Sequence, residues 1–189
     1  MKKCSDMSIS PVKRLILETM WMLGKPARAA EIAKEAGLAF PSTMMHVIGL
    51  SRMGYVSMPE KGLYAIAKNG KKALELPEVT KEKAVEILAY QPVERSFHFY
   101  ADIGKPLNIH AASLGDFCDK IAKVDSAAVD FHISRGDFEA WFNGLGDAEL
   151  ARKILLVREE KLPSDAFQRK LVEVVKNRCS ELTRIRNGH

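Results

Sequence analysis

Three short helical runs, each closed by a glycine, precede two β-prone runs. That punctuation restricts the first third of the chain more than any other feature does. Ser10 followed by Pro11 marks a helix start, a hydroxyl to cap free N–H groups and then a proline at the first helical position. Val12, Leu15, Ile16, Thr19 and Leu23 come next at helical spacing, and Gly24 stops the run. "AAEIAKEAG" predicts a second, short helix that buries Ala30, Ile32, Ala33 and Ala36 and ends at Gly37. "LAFPSTMMHVIGLSRMG" predicts a third, opened by Pro41, with Gly54 letting the chain leave. "YVSM" and "GLYAIA", separated by "PEKG", predict a hairpin with a basic tip, and "AKNGKKALEL" resumes as helix.

Pro77 in "ELPEVT" breaks the pattern, and Thr80 is placed to cap the next helix. Beyond it the reading is mostly helical. "KEKAVEILAY" is a helix, "SFHFYAD" a strand with Phe97, Phe99 and Ala101 on one face, and "SLGDFCDKIAKV" an amphipathic helix capped by Ser113. In "SRGD", Ser134 is placed as an N-cap with Asp137 at the third position; in "GLGD", Gly146 stops one helix and Asp147 caps the next. A long last helix runs from Ser164 to about Ile185, with Phe167, Leu171, Val174, Leu182 and Ile185 along one stripe that Arg178 interrupts. The expected fold class is α+β, predominantly α. Residues 1–76 form a domain of three helices plus a two-stranded hairpin, 77–80 a linker, and 81–189 a mostly helical second domain.

Charge separates the two parts. Residues 1–80 hold 12 Lys and Arg against 7 Asp and Glu, whereas residues 81–189 hold 17 of each. The net charge of +5 therefore lies wholly in the first part, which suits a head that binds a polyanion and a neutral body. Apolar runs are broken by charge within five or six residues, too short for a membrane span, and no apolar stretch comes after the basic tip at Lys2 and Lys3. Cys4, Cys118 and Cys179 are far apart and lack CxxC spacing, so neither a disulfide framework nor a zinc ribbon is expected. The expected compartment is the cytoplasm.

Residues 10–76 resemble the winged helix-turn-helix transcription regulators of bacteria and archaea. The motifs that carry the resemblance are "AAEIAKEAG" as positioning helix, "VIGLSRMGYV" for Leu-x-x-Leu-x-x-x-Gly-Leu-Val, and "YAIAKNGKKAL" for Tyr-x-Leu-Thr-x-x-Gly-x-x-Ala-Leu. The second half resembles an uncharacterised prokaryotic helical domain family through "SLGDF" and "VDFHISRGDFEAWFNGLGDAELARKI", whose core here is His132, Arg135, Asp137, Phe138 and Trp141. That second resemblance implies a folded unit and no activity.

The first resemblance implies duplex DNA as partner and the third helix as reader. Its pattern buries Thr43, Val47 and Leu50 and turns Ser42, Met44, Met45, His46, Ile48, Gly49 and Arg52 outward to differing degrees. Base readout relies on bidentate donors and acceptors, and only Ser42, His46 and Arg52 can hydrogen-bond here. Affinity is expected from phosphate contacts by Arg28, Lys34, Arg52, Lys61, Lys68, Lys71 and Lys72. The candidate DNA-binding residues are therefore Arg28, Ser42, Met44, Met45, His46, Arg52, Lys61 and Lys68. The main alternative is a winged helix that serves protein association, because methionine suits an adaptable protein contact. A homodimer is expected, since two heads on one duplex gain avidity, and the second domain is a candidate for a small-molecule or protein effector.

Catalysis and metal binding have little support. His98, His110 and His132, with Cys118, Asp130 and Asp137, show none of the paired spacings that put two ligands on one face. No Gly-x-Ser-x-Gly and no glycine-rich phosphate loop occurs. The expectation is no enzyme, no cofactor and no metal. An enzyme or ligand-binding protein would require a metal, or a pocket in which His110 and His132 converge.

Overall fold

The structure, a computed structural model, describes residues 9–188. The opening segment with Lys2, Lys3 and Cys4 lies outside the described residues. The fold is α+β and predominantly helical, with two small antiparallel hairpins. The chain divides into two compact units, residues 1–78 and 79–189.

In the first unit, helix α1 (Pro11–Leu23) buries Ile16, Leu17, Met20 and Trp21. The spacing in the sequence puts the buried stripe on Val12, Leu15, Ile16, Thr19 and Leu23. Val12 and Leu15 are instead exposed, because Trp21 and Met20 offer more apolar area and rotate the helix towards themselves. Helix α2 (Ala29–Ala36) buries Ala29, Ile32 and Ala33 and exposes Ala30, a shift of one residue from the expected face. Helix α3 (Phe40–Arg52) buries Thr43, Val47 and Leu50, the expected three.

Strands β1 (Val56–Glu60) and β2 (Leu63–Ile66) then pair antiparallel, Val56 opposite Ile66 and Ser57 opposite Ala65, with the register shifting before Glu60 meets Leu63. Ahead of α2, Ala27 and Tyr64 exchange backbone hydrogen bonds of 2.9 and 2.8 Å, which ties the α1–α2 connection to the hairpin. Helix α4 (Lys68–Ala73) comes close to the chain after α3 at Gly70. A Cβ there would lie 2.3 Å from the Tyr55 carbonyl oxygen, so only glycine fits.

In the second unit, helix α5 (Lys81–Leu88) is capped by the Thr80 hydroxyl, which accepts from the Lys83 N–H at 3.2 Å. A 3₁₀ turn at Val93–Arg95 leads into strand β3 (Phe97–Asp102). Strand β4 (Lys105–Ala111) returns antiparallel, with His98 opposite His110. Phe97 and Phe99 are buried as expected, but Ala101 is exposed. Helices α6 (Leu114–Ile121) and α7 (Ser126–Arg135) pack on this hairpin. Helix α8 (Asp137–Gly144) comes one residue after α7, across Gly136, whose φ of 70° turns the chain.

Ser134 is therefore not the N-cap of α8. It lies inside α7, and its hydroxyl donates to the Phe131 carbonyl at 2.9 Å. Helix α9 (Ala148–Glu159) is capped by Asp147, and the long α10 (Ser164–Asn187) packs against α5, α6, α7 and α9. The core is aromatic, with Phe97, Phe99, Phe117, Phe138 and Phe142 in mutual ring contact.

The apolar stripe of α10 accommodates a charge because carboxylates surround it. Arg178, 1% exposed, makes two hydrogen bonds of 2.8 Å to Asp147 and one of 2.8 Å to Glu181, with Glu149 also 2.8 Å away. Burial pulls the guanidinium pKa down, but the carboxylate Asp147, with Glu149 and Glu181, more than offsets this and carries it upward. Among the described residues no helix is long and apolar enough to cross a membrane.

Candidate functional site

Two places in the molecule gather chemistry, one in each unit. In the first, α3 exposes Phe40 (51%), Met45 (68%) and Ile48 (39%), with Arg52 exposed at its C-terminal end. Ser42 and His46 are half-buried on the same helix. Met44 is also half-buried and turns to the hairpin, where the Tyr64 hydroxyl lies 4.0 Å from its sulfur. That contact and the Ala27–Tyr64 bonds bring three segments to one side: α3, the hairpin, and the start of α2, where Arg28 is the exposed N-cap.

Two groups stand out among the described cations of this unit. Arg14 is held by Glu18 at 3.1 Å, Lys25 by Glu31 at 3.7 Å and Lys68 by Glu78 at 2.5 Å. Arg28, Lys34, Arg52, Lys61 and Lys72 are exposed and make no ion pair among the described residues. Of the eight residues singled out from the sequence, Arg28, Met45, Arg52 and Lys61 are open to a ligand. Ser42 and His46 are partly so, Met44 is engaged, and Lys68 is shared with Glu78 in a pair whose side chains are 76% and 65% exposed. Exposed pairs of that kind hold weakly and exchange for other anions.

In the second unit the motif residues His132, Arg135, Asp137, Phe138 and Trp141 come together around β3. His132 is 2% exposed and sits in a fully used environment. Its Nε2 accepts the Tyr100 backbone N–H at 2.9 Å, so its proton is on Nδ1, which donates to Asp137 Oδ2 at 2.8 Å. Burial lowers its pKa from the ordinary 6.5, against the upward pull of Asp137. With both ring nitrogens engaged and the charged form disfavoured, His132 ties β3 to the α7–α8 corner and is no free base. Arg135 Nε donates to the same Asp137 oxygen at 3.2 Å, and its guanidinium carbon lies 5.2 Å from the centre of the Phe131 ring. Trp141 Nε1 donates to the Arg95 carbonyl at 2.9 Å.

Of these residues His132, Arg135, Asp137 and Trp141 line an open cavity of about 410 Å³, with Phe97, His98, Tyr100 and Ile103 among its other walls. His110 does not line it; its ring stacks on that of His98 at 5.6 Å. The histidines that share the cavity are thus His98 and His132, and His98 is the one that sequence reasoning does not pair with His132. The alternation of "SFHFYAD" gives no signal for that pairing, because it separates His98 from Phe97 and Phe99, the rings that His132 packs against. Among the described residues, no group of three or more His, Cys, Asp or Glu side chains is placed to hold a metal ion. Burial raises the Cys118 thiol to about 12 and the Cys179 thiol to about 11, so neither is a thiolate at neutral pH.

No protein-family model, curated protein or solved structure matches the chain.

Proposed function

We propose that the first unit is a winged helix that binds double-stranded DNA, chiefly through phosphates, and that the chain is a cytoplasmic transcription regulator. The observation that carries this reading is the division of the cations. Arg14, Lys25 and Lys68 are matched with acids, whereas Arg28, Arg52 and Lys61, on the segments gathered beside α3, are exposed and make no ion pair among the described residues; the same holds for Lys34 and Lys72 elsewhere on the unit. Exposed cations without acidic partners suit a polyanion partner. Helix α3 would lie in the major groove with Met45 and Ile48 touching thymine methyl groups or sugars, and with Ser42, His46 and Arg52 supplying the few polar contacts. Selectivity among sequences would be modest. A homodimer would present two such heads, and the second unit would carry the dimer contact or an effector.

One observation favours a second reading. Phe40, Met45, Ile48 and Met58 are all exposed apolar side chains of this unit, at 51%, 68%, 39% and 55%, and such residues also suit a protein partner. Charge-neutral and apolar substitutions separate the two readings. In the full-length protein, the double change R52Q and K61Q is expected to weaken binding to a labelled duplex by about ten-fold or more at low salt. M45S is expected to change duplex binding by less than about three-fold. Loss with M45S and none with R52Q and K61Q would contradict DNA binding and favour a protein contact.

A further inference from the structure

The cavity beside β3 is lined wholly by residues of the second unit, and its walls specify a ligand. Its volume of about 410 Å³ lies within the roughly 300–1,000 Å³ of small-molecule sites. The half-buried rings of Phe131 and Trp141 line it with aromatic surface, beside the buried Phe97. The polar part of the lining is Ser96, His98, Tyr100 and His132 together with the Arg135–Asp137 pair, whose two members carry its side-chain ion pair. Both contacts that Asp137 makes through its side chain use Oδ2, so Oδ1 is an acceptor without a partner among the described residues. Arg135 spends only Nε on Asp137, so both Nη groups remain donors without a partner among the described residues. Its side chain is held from two directions, by that bond and by the Phe131 ring, and it is 50% exposed.

The pair is neutral in sum and His132 beside it is uncharged, so the site does not favour a carboxylate or phosphate, which would meet the Asp137 charge. Instead it offers donors and an acceptor next to each other, beside aromatic rings. We propose that this cavity binds a flat, uncharged heterocycle with an amide-type edge, a nucleobase in a nucleoside or small metabolite. Its N–H would face Asp137 Oδ1 and its carbonyl Arg135, with the ring stacked on aromatic side chains. This inference stands apart from the DNA reading of the first unit, and its test contains no DNA.

The probe is guanosine, titrated into the full-length protein and followed by tryptophan fluorescence. The chain has two tryptophans; Trp21 is buried in the first unit and gives a constant background, so quenching reports Trp141. Saturable quenching with a dissociation constant on the order of 0.1 mM is expected for a ligand of this size. The exposed R135Q change is expected to weaken binding about ten-fold, because a charge-assisted donor pair is lost. 1-Methylguanosine, which lacks the edge N–H, should weaken it similarly with the protein untouched. Benzoate, an anion with the same flat body, should bind at least about ten-fold less well than guanosine. The proposal is overturned by absence of saturable quenching, by equal affinity for 1-methylguanosine, by no effect of R135Q in a folded protein, or by tighter binding of benzoate.

Discussion

At the scale of single residues, the groups that look most reactive are the ones most tightly used. Arg178 is the clearest case, since a lone arginine in an apolar stripe is costly until Asp147, Glu149 and Glu181 close around it. Removing one partner leaves a buried charge incompletely compensated and out of reach of solvent. D147A is expected to lose about 3–5 kcal/mol of stability by urea denaturation, part of it through the lost α9 cap. R169A, which removes the exposed pair with Asp165, should leave the urea midpoint essentially where it was. His132 gives a pH dependence whose sign is set by burial. Its folded pKa lies below 6.5, so the unfolded chain takes up the proton first as the pH falls. The stability contributed by neutral His132 is full above about pH 6.5 and declines below it. Thermal melting of the wild type from pH 8 to 5 should show that decline, and H132N, although less stable throughout, should show a shallower one.

At the scale of elements, much of the outline can be read from the sequence, and the failures have local causes. The buried face of α3, the caps at Thr80, Ser113 and Asp147, and the extent of α10 all come from spacing and cap chemistry. Strand β4 is hidden from such a reading, because "KPLNIHA" contains Pro106 and Asn108, the latter at φ 56°, and nearly every position is exposed, so no alternation shows. Ser134 does not cap α8 because Gly136 joins α7 to α8 directly, a connection with no room for a serine cap. The stripe on α1 is displaced because its spacing alone omits Trp21, the largest apolar group on the helix, and Met20 beside it. Of the candidate sites, the exposed cations can be named from sequence, but their lack of acidic partners cannot. Nor can the union of His98 with His132, 34 residues apart by number. Gly70 supplies the test at this scale. G70A would drive a methyl group against the Tyr55 carbonyl at 2.3 Å and the Ile66 side chain at 2.8 Å. The expected loss is about 1–3 kcal/mol in chemical denaturation despite alanine's better helix propensity; a stabilised protein would mean that α4 can move away from Tyr55 without cost.

At the scale of the whole molecule, the two units differ in character. One is electropositive and carries exposed cations beside a helix; the other is neutral, built around an aromatic core with an open cavity. The central claim is that the first of these binds duplex DNA through phosphates. Its most direct test is fluorescence anisotropy of the full-length protein with a labelled random-sequence duplex, repeated across a salt series. Each phosphate contact contributes about −0.9 to the slope of log affinity against log salt, so contacts by Arg28, Arg52 and Lys61, with one or two of the neighbouring lysines, predict a slope of about −3 to −5. K61Q should make that slope shallower by about 1. No binding at low salt, or binding indifferent to salt, would contradict the account.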